Sequence, residues 1–398
     1  MQYNYSETIK YLLQWYDSNA RKLRWRIQPK AYYIWISEIM LQQTRVEAVK
    51  AYFDRFVEAL PDIETLANCE EDKLLKLWEG LGYYNRVRNL QKAAQMIMKE
   101  YNGELPADYE ELLKLPGIGS YTAGAIASNV YKIPVPSVDG NVLRVAKRLE
   151  GSFDDITKAS VKKQLENDLK EIMPKDRPGD FNQSLMELGA VICIPNGRPL
   201  CETCPIMHLC NAFKEGNQMQ LPVKTPKKPR KIEEKTILLF SVIENRQDIV
   251  PVIEYNVMND RKNRLTNYFA IQKRNAKGLL AGMWQLPGLE GKKTTVQIEE
   301  VLQAIVSNKK YSFDIRVESL EEGKHIFSHI EWHMNGYKIC ILPKKNEEKW
   351  LKKHLAQIEE LVQEMVQNQS QELKWITVKQ LEDFALPSAF DLYRGYIQ

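Results

Sequence analysis

The sequence predicts a multidomain protein in which an all-α region precedes an α+β domain. From Ser6 to about Phe213, apolar residues recur at three- and four-residue spacing, and the alternation typical of strands is absent. From Thr236 onward, short β-rich stretches are mixed with a few helical ones. Between the two regions the chain becomes rich in proline and basic residues. A break of this kind is typical of a domain boundary.

The helical region also shows where some of its helices begin. Asp108 and Asp180 are each followed three residues later by Glu or Gln, a pattern that caps helix N-termini. In the second region, the strand-like stretches are TILLFSVIE, NYFAIQKR and HIFSHIEWHMNGYKICIL, and residues 296–306 and 350–367 are predicted helices.

A linker is predicted between the domains. Leu221 to Lys231 contains three prolines and five basic residues with no acid. Prolines at this density prevent helices and sheet ladders and favour an extended chain. Residues 217–235 are therefore predicted to join an all-α domain, 1–216, to an α+β domain, 236–398. The charge of the linker suits a solvated spacer and a contact with nucleic-acid phosphates equally well.

The composition is that of a soluble globular protein. Of the 398 residues, 44% are hydrophobic and 27% charged, and the net charge of +4 does not by itself indicate a nucleic-acid binder. No apolar run approaches the ~20 residues of a membrane span. The first ten residues also lack the apolar core of a signal peptide. We expect a cytoplasmic protein, associated with the nucleoid if its source is bacterial, and no membrane partner.

The stretch from Leu115 to Arg144 has the features of an anion-binding turn. Gly117 and Gly119 precede a helix of small residues. Glycines leave backbone N–H groups accessible at a helix N-terminus, where the macrodipole favours negative charge. The turn is therefore predicted to hold a phosphate, and the small residues after it predict that another helix packs close to this one.

Glu38 is a candidate general acid. It stands in the middle of a predicted helix, residues 32–44, that is apolar on nearly every side. Burial in such a place raises the pKa of a carboxyl group towards neutrality, which suits proton donation. The alternative is a structural carboxylate neutralised by an arginine such as Arg45 or Arg86.

Asp139 is a candidate partner of Glu38. It precedes Gly-Asn-Val-Leu-Arg and is a good helix N-cap, which is the structural alternative. Glycosidic cleavage needs two carboxyl groups, one that protonates the leaving group and one that stabilises an oxocarbenium-like sugar. A capping role and a catalytic role are compatible.

Four of the six cysteines form a ladder with x7, x2 and x5 gaps. In a cytosolic chain such a cluster predicts a metal site rather than disulfides. Four thiolates within 18 residues can hold either a tetrahedral zinc ion or a 4Fe–4S cluster. Structural zinc more often uses two separated CxxC pairs. The residues are Cys193, Cys201, Cys204 and Cys210.

Six motifs together resemble those of the MutY-type adenine DNA glycosylases of the helix-hairpin-helix, Gly/Pro…Asp superfamily. They are SEIMLQQTRV, WEGLGYYNRVRNL, LPGIGSYTAGAI, VDGNVLR, ELGAVIC and the cysteine ladder, which has one residue more in its first gap than the usual C-x6-C-x2-C-x5-C. The resemblance implies a helix-hairpin-helix glycosylase region with an iron–sulfur cluster loop, in which the four cysteines ligate a 4Fe–4S cofactor. It also implies base-excision repair of double-stranded DNA by a monomer that hydrolyses adenine from mispairs with 8-oxoguanine or guanine.

The resemblance assigns roles to individual residues. Glu38 would protonate adenine at N7 and help activate water. Asp139 would stabilise the oxocarbenium ion, by charge or through a transient covalent bond. Tyr121 and Asn141 would position these groups. Bifunctional endonuclease III-like enzymes have a Schiff-base lysine two residues after the second hairpin glycine, where this chain has Tyr121. A monofunctional enzyme that leaves an abasic site is implied. The alternatives are a bifunctional glycosylase and lyase, and a non-catalytic iron–sulfur DNA-binding protein.

Further residues would contact DNA. Gln43 and Tyr83 would enter the helical stack and hold the duplex open around an extruded base. Gly117 and Gly119 would bind a phosphate through their backbone amides.

The C-terminal domain is similar to the Nudix-like lesion-recognition domain of the same family. GLLAGMWQLPG and KWITVKQLEDFALPSAF carry this similarity, whereas the magnesium-binding series G-x5-E-x7-R-E-x2-E-E of active Nudix hydrolases does not follow Gly288. Phe327-Ser328-His329 matches the lesion-sensing loop, in which the Ser328 hydroxyl would contact the oxidised base. The alternative is an ordinary hairpin tip.

Overall fold

The protein forms two compact units, seen in a computed structural model that describes residues 3–226, 228–243, 267–309, 311–344, 350–367 and 372–397. The first unit comprises Met1–Glu70 and Tyr83–Lys227, and the second comprises Glu71–Gly82 and Lys228–Gln398. Within the described ranges, no helix is both long enough and apolar enough to cross a membrane.

The helical character predicted for the first region is confirmed. Its helices are α1 (Ser6–Asn19), α2 (Arg24–Ile27), α3 (Ala31–Leu41), α4 (Val46–Ala59), α5 (Ile63–Ala67), α6 (Glu71–Leu77), α7 (Asn85–Glu100), α8 (Tyr109–Lys114), α9 (Ser120–Asn129), α10 (Gly140–Glu150), α11 (Ala159–Ile172), α12 (Pro178–Val191) and α13 (Asn211–Lys214). All but α6 belong to the first unit. Buried apolar residues of α1, α10, α11 and α12 form one core cluster, which fixes the position of α10 and of the loop before it.

One predicted helix cap is confirmed and the other is wrong. Asp108 caps α8 by accepting from the backbone N–H groups of Glu110 and Glu111, at 2.9 and 3.0 Å. Asp180 lies inside the first turn of α12, which begins at Pro178, and its carboxylate binds the Arg177 side chain at 2.8 Å. Proline is preferred at the first position of a helix because its missing N–H would have no partner there. It therefore sets the start of α12 earlier than the acidic residue does.

The small residues of α9 allow close packing, and at Gly124 the neighbour is the segment before α10 instead of another helix. An added Cβ at Gly124 would lie 2.5 Å from the carbonyl oxygen of Pro136. The small residue admits the backbone of the segment that leads to Asp139, so α9 and the start of α10 are held close together.

The segment that contains α6 belongs to the second unit, although it lies within the predicted all-α region. Glu79 accepts hydrogen bonds from the Leu386 backbone N–H at 3.2 Å and from Arg394 Nη1 at 3.1 Å. Lys76 Nζ donates to the carbonyl oxygen of Phe384 at 3.2 Å. These contacts are between residues more than 300 positions apart, and no local pattern encodes them.

The second unit contains a mixed sheet, as predicted for an α+β domain. Its described strands are β1 (Lys231–Ile243), β2 (Asn267–Lys273), β3 (Trp284–Gln285), β4 (Gly288–Glu290), β5 (Phe313–Ile326), β6 (Ile330–Pro343) and β7 (Leu373–Thr377). Along the sheet the order is β3-β2-β1-β6-β5, β4 also pairs with β1, and β7 also pairs with β2. The β1–β6 pair is parallel and the others are antiparallel.

Helices and loops cover both faces of this sheet. Leu238 and Phe240 belong to a core cluster that includes residues of α14 (Thr295–Asn308) and α15 (Trp350–Met365), whereas Leu239 belongs to the cluster on the opposite face. Alternate residues of a strand point to opposite faces, so β1 is buried on both sides. The two helices predicted at 296–306 and 350–367 are confirmed. A short helix, α16 (Asp391–Arg394), ends the described fold.

Two strand boundaries differ from the predicted ones. Strand β1 begins at Lys231, five residues before Thr236, so the end of the predicted linker is a strand. Strand β5 begins at Phe313, although the sequence predicted a strand only from His325. Strand β5 lies at the end of the strand order, and its Phe313, Ile315 and Val317 alternate with charged residues, so it lacks the continuous apolar run of the inner strand β1. Lys227 of the linker and Glu244 at the end of TILLFSVIE lie outside the described residues.

Candidate active site

Glu38 is a buried carboxyl group with one well-placed hydrogen-bond donor. It lies in α3, where its neighbours from Ile34 to Met40 are also buried, and it is 3% exposed. The hydroxyl group of Tyr121 donates to Glu38 Oε2 at 2.6 Å. Burial raises the pKa of Glu38 to about 7, against the opposing effect of this hydrogen bond. A carboxyl group with such a pKa holds a proton part of the time near neutral pH, as a general acid must.

The arginines suggested as partners of Glu38 occupy other positions. Arg86 Nη1 donates to the carbonyl oxygens of Ile39, Met40 and Gln42, at 2.8, 3.1 and 2.6 Å, so it binds the C-terminal end of α3. Arg45 is exposed at the N-cap of α4. Glu38 is thus buried next to a hydroxyl group instead of being neutralised by either arginine.

Arg26 is the cation whose charge acts on Glu38. It lowers the pKa of the carboxyl group, although less strongly than burial raises it. Arg26 Nη2 donates to Gln183 Oε1 at 2.7 Å and to Glu187 Oε2 at 2.9 Å. Glu187 also binds Arg21 Nη2 at 3.0 Å. The positive charge near Glu38 is therefore partly compensated by a second buried carboxylate, which leaves Glu38 able to keep its proton.

Asp139 caps α10, as its sequence context predicted. Its Oδ1 accepts from the backbone N–H groups of Asn141 and Val142, both at 2.8 Å, and its Oδ2 accepts from the side-chain amide of Asn141 at 2.7 Å. Burial raises the pKa of Asp139, and the three hydrogen bonds oppose that rise because they stabilise the ionised form. The carboxylate is consequently fixed in one orientation.

A second layer of contacts fixes Asn141. Its Oδ1 accepts from Arg144 Nη2 at 2.9 Å, and Arg144 also donates to the carbonyl oxygens of Gly189 and Cys193, at 2.7 and 2.8 Å. An added Cβ at Gly189 would lie 2.7 Å from Cβ of Asn141. Arg144, which is 4% exposed, and Gly189 therefore hold Asn141 against Asp139.

Tyr121 and Asp139 line the same open cavity of about 480 Å³, together with Gln42, Gly119, Lys162 and others. Burial raises the pKa of the Tyr121 hydroxyl group well above its ordinary value, so this group stays protonated and donates to Glu38. Glu38 is thereby connected to the cavity through Tyr121. A larger cavity of about 640 Å³ lies in the second unit and contains none of these residues.

The two hairpin glycines occupy the turn before α9. Gly117 has a φ of +79°, and an added Cβ there would lie 2.8 Å from Cβ of Asn89. Gly119 is the N-cap of α9 and has no side-chain cap, and an added Cβ would have no heavy atom within 4 Å. Gly119 to Thr122, at the N-terminus of this helix, line the cavity, so an anion bound there would lie at a helix N-terminus, as the predicted phosphate site requires.

Gln43 and Tyr83 share an unusual backbone conformation. Their φ angles are +59° and +49°, in the left-handed region that non-glycine residues seldom adopt. Gln43 is exposed, and Tyr83 is 49% exposed although it is aromatic. Strained positions of this kind are frequent at functional sites.

The four ladder cysteines line one small cavity whose other walls are mainly apolar. Burial raises the pKa of Cys201, Cys204 and Cys210, and that of Cys204 reaches about 12. Arg148 Nη1 donates to the Cys193 sulfur at 3.2 Å. Among the described residues, no group of three or more His, Cys, Asp or Glu side chains has the arrangement of a metal-ion site. A thiol ligand is deprotonated by the metal it binds, so a metal group in this cavity would be held by thiolates. The Arg148 guanidinium group beside Cys193 would offset part of their negative charge.

The predicted lesion loop is a hairpin tip. Phe327-Ser328-His329 joins β5 to β6, and the backbone N–H of Phe327 donates to the carbonyl oxygen of Ile330 at 2.8 Å. The Phe327 ring packs against Trp332, with ring centroids 4.9 Å apart. Ser328 and His329 are exposed. The aromatic contact holds the turn, and the two polar side chains lie at the surface.

Comparison with known proteins identifies the family. Residues 36–173 match the HhH-GPD superfamily base excision DNA repair proteins, and residues 262–393 match the NUDIX domain. An adenine DNA glycosylase of Buchnera aphidicola subsp. Schizaphis graminum is 33% identical over 324 residues, which are 81% of this chain and 84% of that protein. The adenine DNA glycosylase of Mus musculus is 35% identical over 362 residues, 83% of this chain and 70% of that protein. The chain belongs to the adenine DNA glycosylase family.

A solved structure described as a thermostable thymine-DNA glycosylase is 27% identical, covers 52% of this chain and 96% of that chain, and has a TM-score of 0.48. As a member of the adenine DNA glycosylase family, the chain has the predicted order of a helical HhH-GPD region followed by a Nudix-like domain with a mixed sheet.

Several residues of the site in this adenine DNA glycosylase family member do not stand out in the sequence. Arg26, Arg144 and Lys162 each approach it from a different helix. Of these, only Arg144 lies within one of the six family motifs, VDGNVLR. Arg26 and Lys162 are ordinary basic residues in their local sequence, and only the tertiary fold brings Arg26 near Glu38 and Lys162 to the cavity.

Proposed function

We propose that this chain hydrolyses the N-glycosidic bond of adenine in duplex DNA, as a step of base-excision repair. The observation that carries the proposal is Glu38, a buried carboxyl group with a pKa of about 7, hydrogen-bonded to a tyrosine that lines the same cavity as Asp139. Two carboxyl groups in different protonation states are what glycosidic cleavage requires. The relatives that cover most of the chain are named adenine DNA glycosylases.

In this mechanism Glu38 is the general acid. Protonation of the adenine ring at N7 makes the base a better leaving group, and the Tyr121 hydroxyl group holds the Glu38 carboxyl in place. As the bond to the sugar breaks, positive charge develops on the sugar. The Asp139 carboxylate, oriented by Asn141, stabilises that charge, and water adds to the sugar to leave an abasic site. Glu38, having lost its proton to the base, accepts one from the attacking water.

We propose that the enzyme is monofunctional, because Tyr121 stands where a Schiff-base lysine would be. One observation favours the alternative of a lyase: Lys162 lines the same cavity. Its ammonium group donates to Ser120 Oγ at 3.1 Å and lies 3.5 Å from Glu166. A side-chain nitrogen held by these two partners is not free to attack the sugar.

The test is adenine release from a duplex that contains adenine opposite 8-oxoguanine. Released base, with strand scission only after alkali treatment, supports a monofunctional glycosylase. A covalent complex trapped by borohydride would establish a lyase, and Lys162→Gln would show whether that amine forms it. Binding of the duplex without release of adenine would contradict the catalytic proposal.

We propose that the second unit recognises 8-oxoguanine through the exposed tip of the β5–β6 hairpin. Combined Ser328→Ala and His329→Ala substitutions are expected to lower the ratio of the excision rate opposite 8-oxoguanine to that opposite guanine by about tenfold, since a lost hydrogen bond to a buried polar group costs ~1–3 kcal/mol. Single-turnover rates on the two duplexes measure this ratio.

The matched control is Ser312→Ala with His333→Ala, which removes the same groups from other surface positions of this unit. The control is expected to keep the wild-type ratio. Equal slowing on both duplexes by the hairpin variant would contradict a role in recognising the lesion.

We propose that Cys193, Cys201, Cys204 and Cys210 hold a 4Fe–4S cluster. When bound, the cluster would cross-link the loops around α10 through its thiolate ligands. The proposal is supported by the cavity that the four thiols line and by the spacing of the ladder. Cys204→Ser is expected to remove most of the iron, the inorganic sulfide and the visible absorbance of the purified protein, and to lower its melting temperature.

Cys69 is the control, because it lies outside the ladder and is also partly exposed. Cys69→Ser is expected to keep the iron content and the absorbance of the wild type. Zinc instead of iron and sulfide in the wild-type protein would refute the cluster.

A further inference from the structure

We propose that Arg86 is a positioning residue for base extrusion, whose guanidinium group fixes the two backbone positions that carry Gln43 and Tyr83. The inference rests on the proposed function and on the family resemblance, which implies that these two side chains hold the duplex open. It assigns to Arg86 a contribution to extrusion that is separate from the chemistry at Glu38 and Asp139.

One side of Arg86 binds the end of α3. Its Nη1 lies 2.8, 3.1 and 2.6 Å from the carbonyl oxygens of Ile39, Met40 and Gln42. The last carbonyl groups of a helix have no partner within the helix and carry partial negative charge. A cation that binds three of these oxygens at once fixes the direction in which the chain leaves α3. Gln43 is the next residue, with its φ of +59°.

The other side of Arg86 holds Tyr83. The guanidinium carbon lies 5.6 Å from the centre of the Tyr83 ring, a cation–π distance. The backbone N–H of Arg86 also donates to the carbonyl oxygen of Tyr83 at 2.8 Å. Tyr83 has a φ of +49° and remains 49% exposed. One residue therefore contacts both the turn that carries Gln43 and the ring of Tyr83.

The backbone conformation explains why these contacts are needed. A non-glycine residue keeps a left-handed conformation only when its surroundings enforce it. Without Arg86, the turn after α3 and the Tyr83 ring would relax towards more common conformations. The side chains would then have to be ordered at the moment of extrusion, and extrusion already requires the unstacking of a base.

An arginine is required at this position. Its planar group can donate to several carbonyl oxygens while one face remains against an aromatic ring, whereas the lysine ammonium is a compact point charge. Burial lowers the pKa of Arg86 to about 10, so the group keeps its charge at neutral pH. In the competing explanation, Arg86 only stabilises the end of α3. That explanation predicts that the Arg86 variants lose the same fraction of activity on every substrate.

The experiment compares two duplexes under single-turnover conditions. In one, adenine lies opposite 8-oxoguanine; in the other, adenine lies opposite an abasic analogue, where extrusion costs less because the base has no partner. Arg86→Met and Arg86→Lys are expected to slow excision from the duplex with 8-oxoguanine on the order of tenfold more than excision from the duplex with the abasic analogue. A factor of this size corresponds to the loss of one hydrogen bond from a charged group. Extrusion is read independently from the fluorescence of 2-aminopurine in place of adenine, which is expected to rise less with either variant than with wild type.

The matched control is Arg55→Met. Arg55 is exposed on α4, and its guanidinium carbon lies 4.6 Å from the centre of the Tyr52 ring, so it makes a similar cation–π contact. This control is expected to behave as wild type on both duplexes. If Arg86→Met does not fold, as a melting curve would show, Arg86→Lys carries the test because it keeps the charge.

Equal slowing of both duplexes by the Arg86 variants, with unchanged 2-aminopurine fluorescence, would overturn the proposal. Wild-type behaviour of Arg86→Lys in both assays would overturn the requirement for a guanidinium group. If the wild-type protein releases adenine from neither duplex, the proposed function fails, and the fluorescence assay still decides whether Arg86 affects extrusion.

Discussion

Glu38→Gln is expected to slow adenine excision by a factor on the order of 10²–10⁴, which is the usual contribution of a general acid. Glutamine has nearly the same shape and can accept the Tyr121 hydrogen bond, so the change removes the proton and little else. The measurement is single-turnover release of adenine from a duplex with adenine opposite 8-oxoguanine. Affinity for that duplex is expected to remain close to that of the wild type, since Glu38 is 3% exposed.

The same substitution is expected to stabilise the protein above neutral pH. Because burial raises the pKa of Glu38 from 4.5 to about 7, the folded state binds the proton more tightly than the unfolded state does. Ionisation of Glu38 therefore lowers the free energy of unfolding progressively between these two pH values. Glu38→Gln removes this penalty and is expected to raise the free energy of unfolding by about 3 kcal/mol above pH 7, at about 1.4 kcal/mol for each pKa unit.

Denaturant unfolding at several pH values checks this result. The difference between variant and wild type is expected to vanish below the unfolded-state pKa, where Glu38 is protonated in both states. Excision by the wild type is expected to slow as the pH rises past about 7, when the general acid loses its proton. A variant that is less stable than wild type at high pH, or that still excises adenine at the wild-type rate, would contradict the role given to Glu38.

Asp139→Ser is expected to slow excision by a factor on the order of 10²–10³. This is the usual effect of removing one preorganised group that stabilises the charge developing in the transition state. Serine caps helices about as well as aspartate does, so α10 is expected to lose less than about 1 kcal/mol. The substitution thus separates the structural role of Asp139 from its charge. Single-turnover excision and denaturant unfolding measure the two effects.

Asp108→Ser is the matched control for Asp139→Ser. Asp108 caps α8 through two backbone N–H groups, as Asp139 caps α10, but it does not line the cavity of the candidate site. We expect similar changes in stability from both substitutions and a change in excision only from Asp139→Ser. If both leave excision intact, Asp139 is a helix cap and nothing more.

Much of the fold follows from local patterns. The spacing of apolar residues predicted the helical first region, and β-rich stretches predicted the mixed second one. The cap at Asp139 was predictable because an acceptor before a helix satisfies its free N–H groups. The failures have physical reasons as well. The charged edge strand β5 lacks the continuous apolar run of β1, and Pro178 sets the start of α12 ahead of Asp180.

The order of the domains, the family motifs, the burial of Glu38 and the spacing of the cysteines are encoded by neighbouring residues and can be read from the sequence. The partners of those residues depend on the tertiary structure. It placed the Tyr121 hydroxyl group 2.6 Å from Glu38, and it brought Arg86 to the end of α3. It also assigned Glu71–Gly82 to the second unit. Such contacts join residues far apart in the chain, and they form only when the hydrophobic cores bring those residues together.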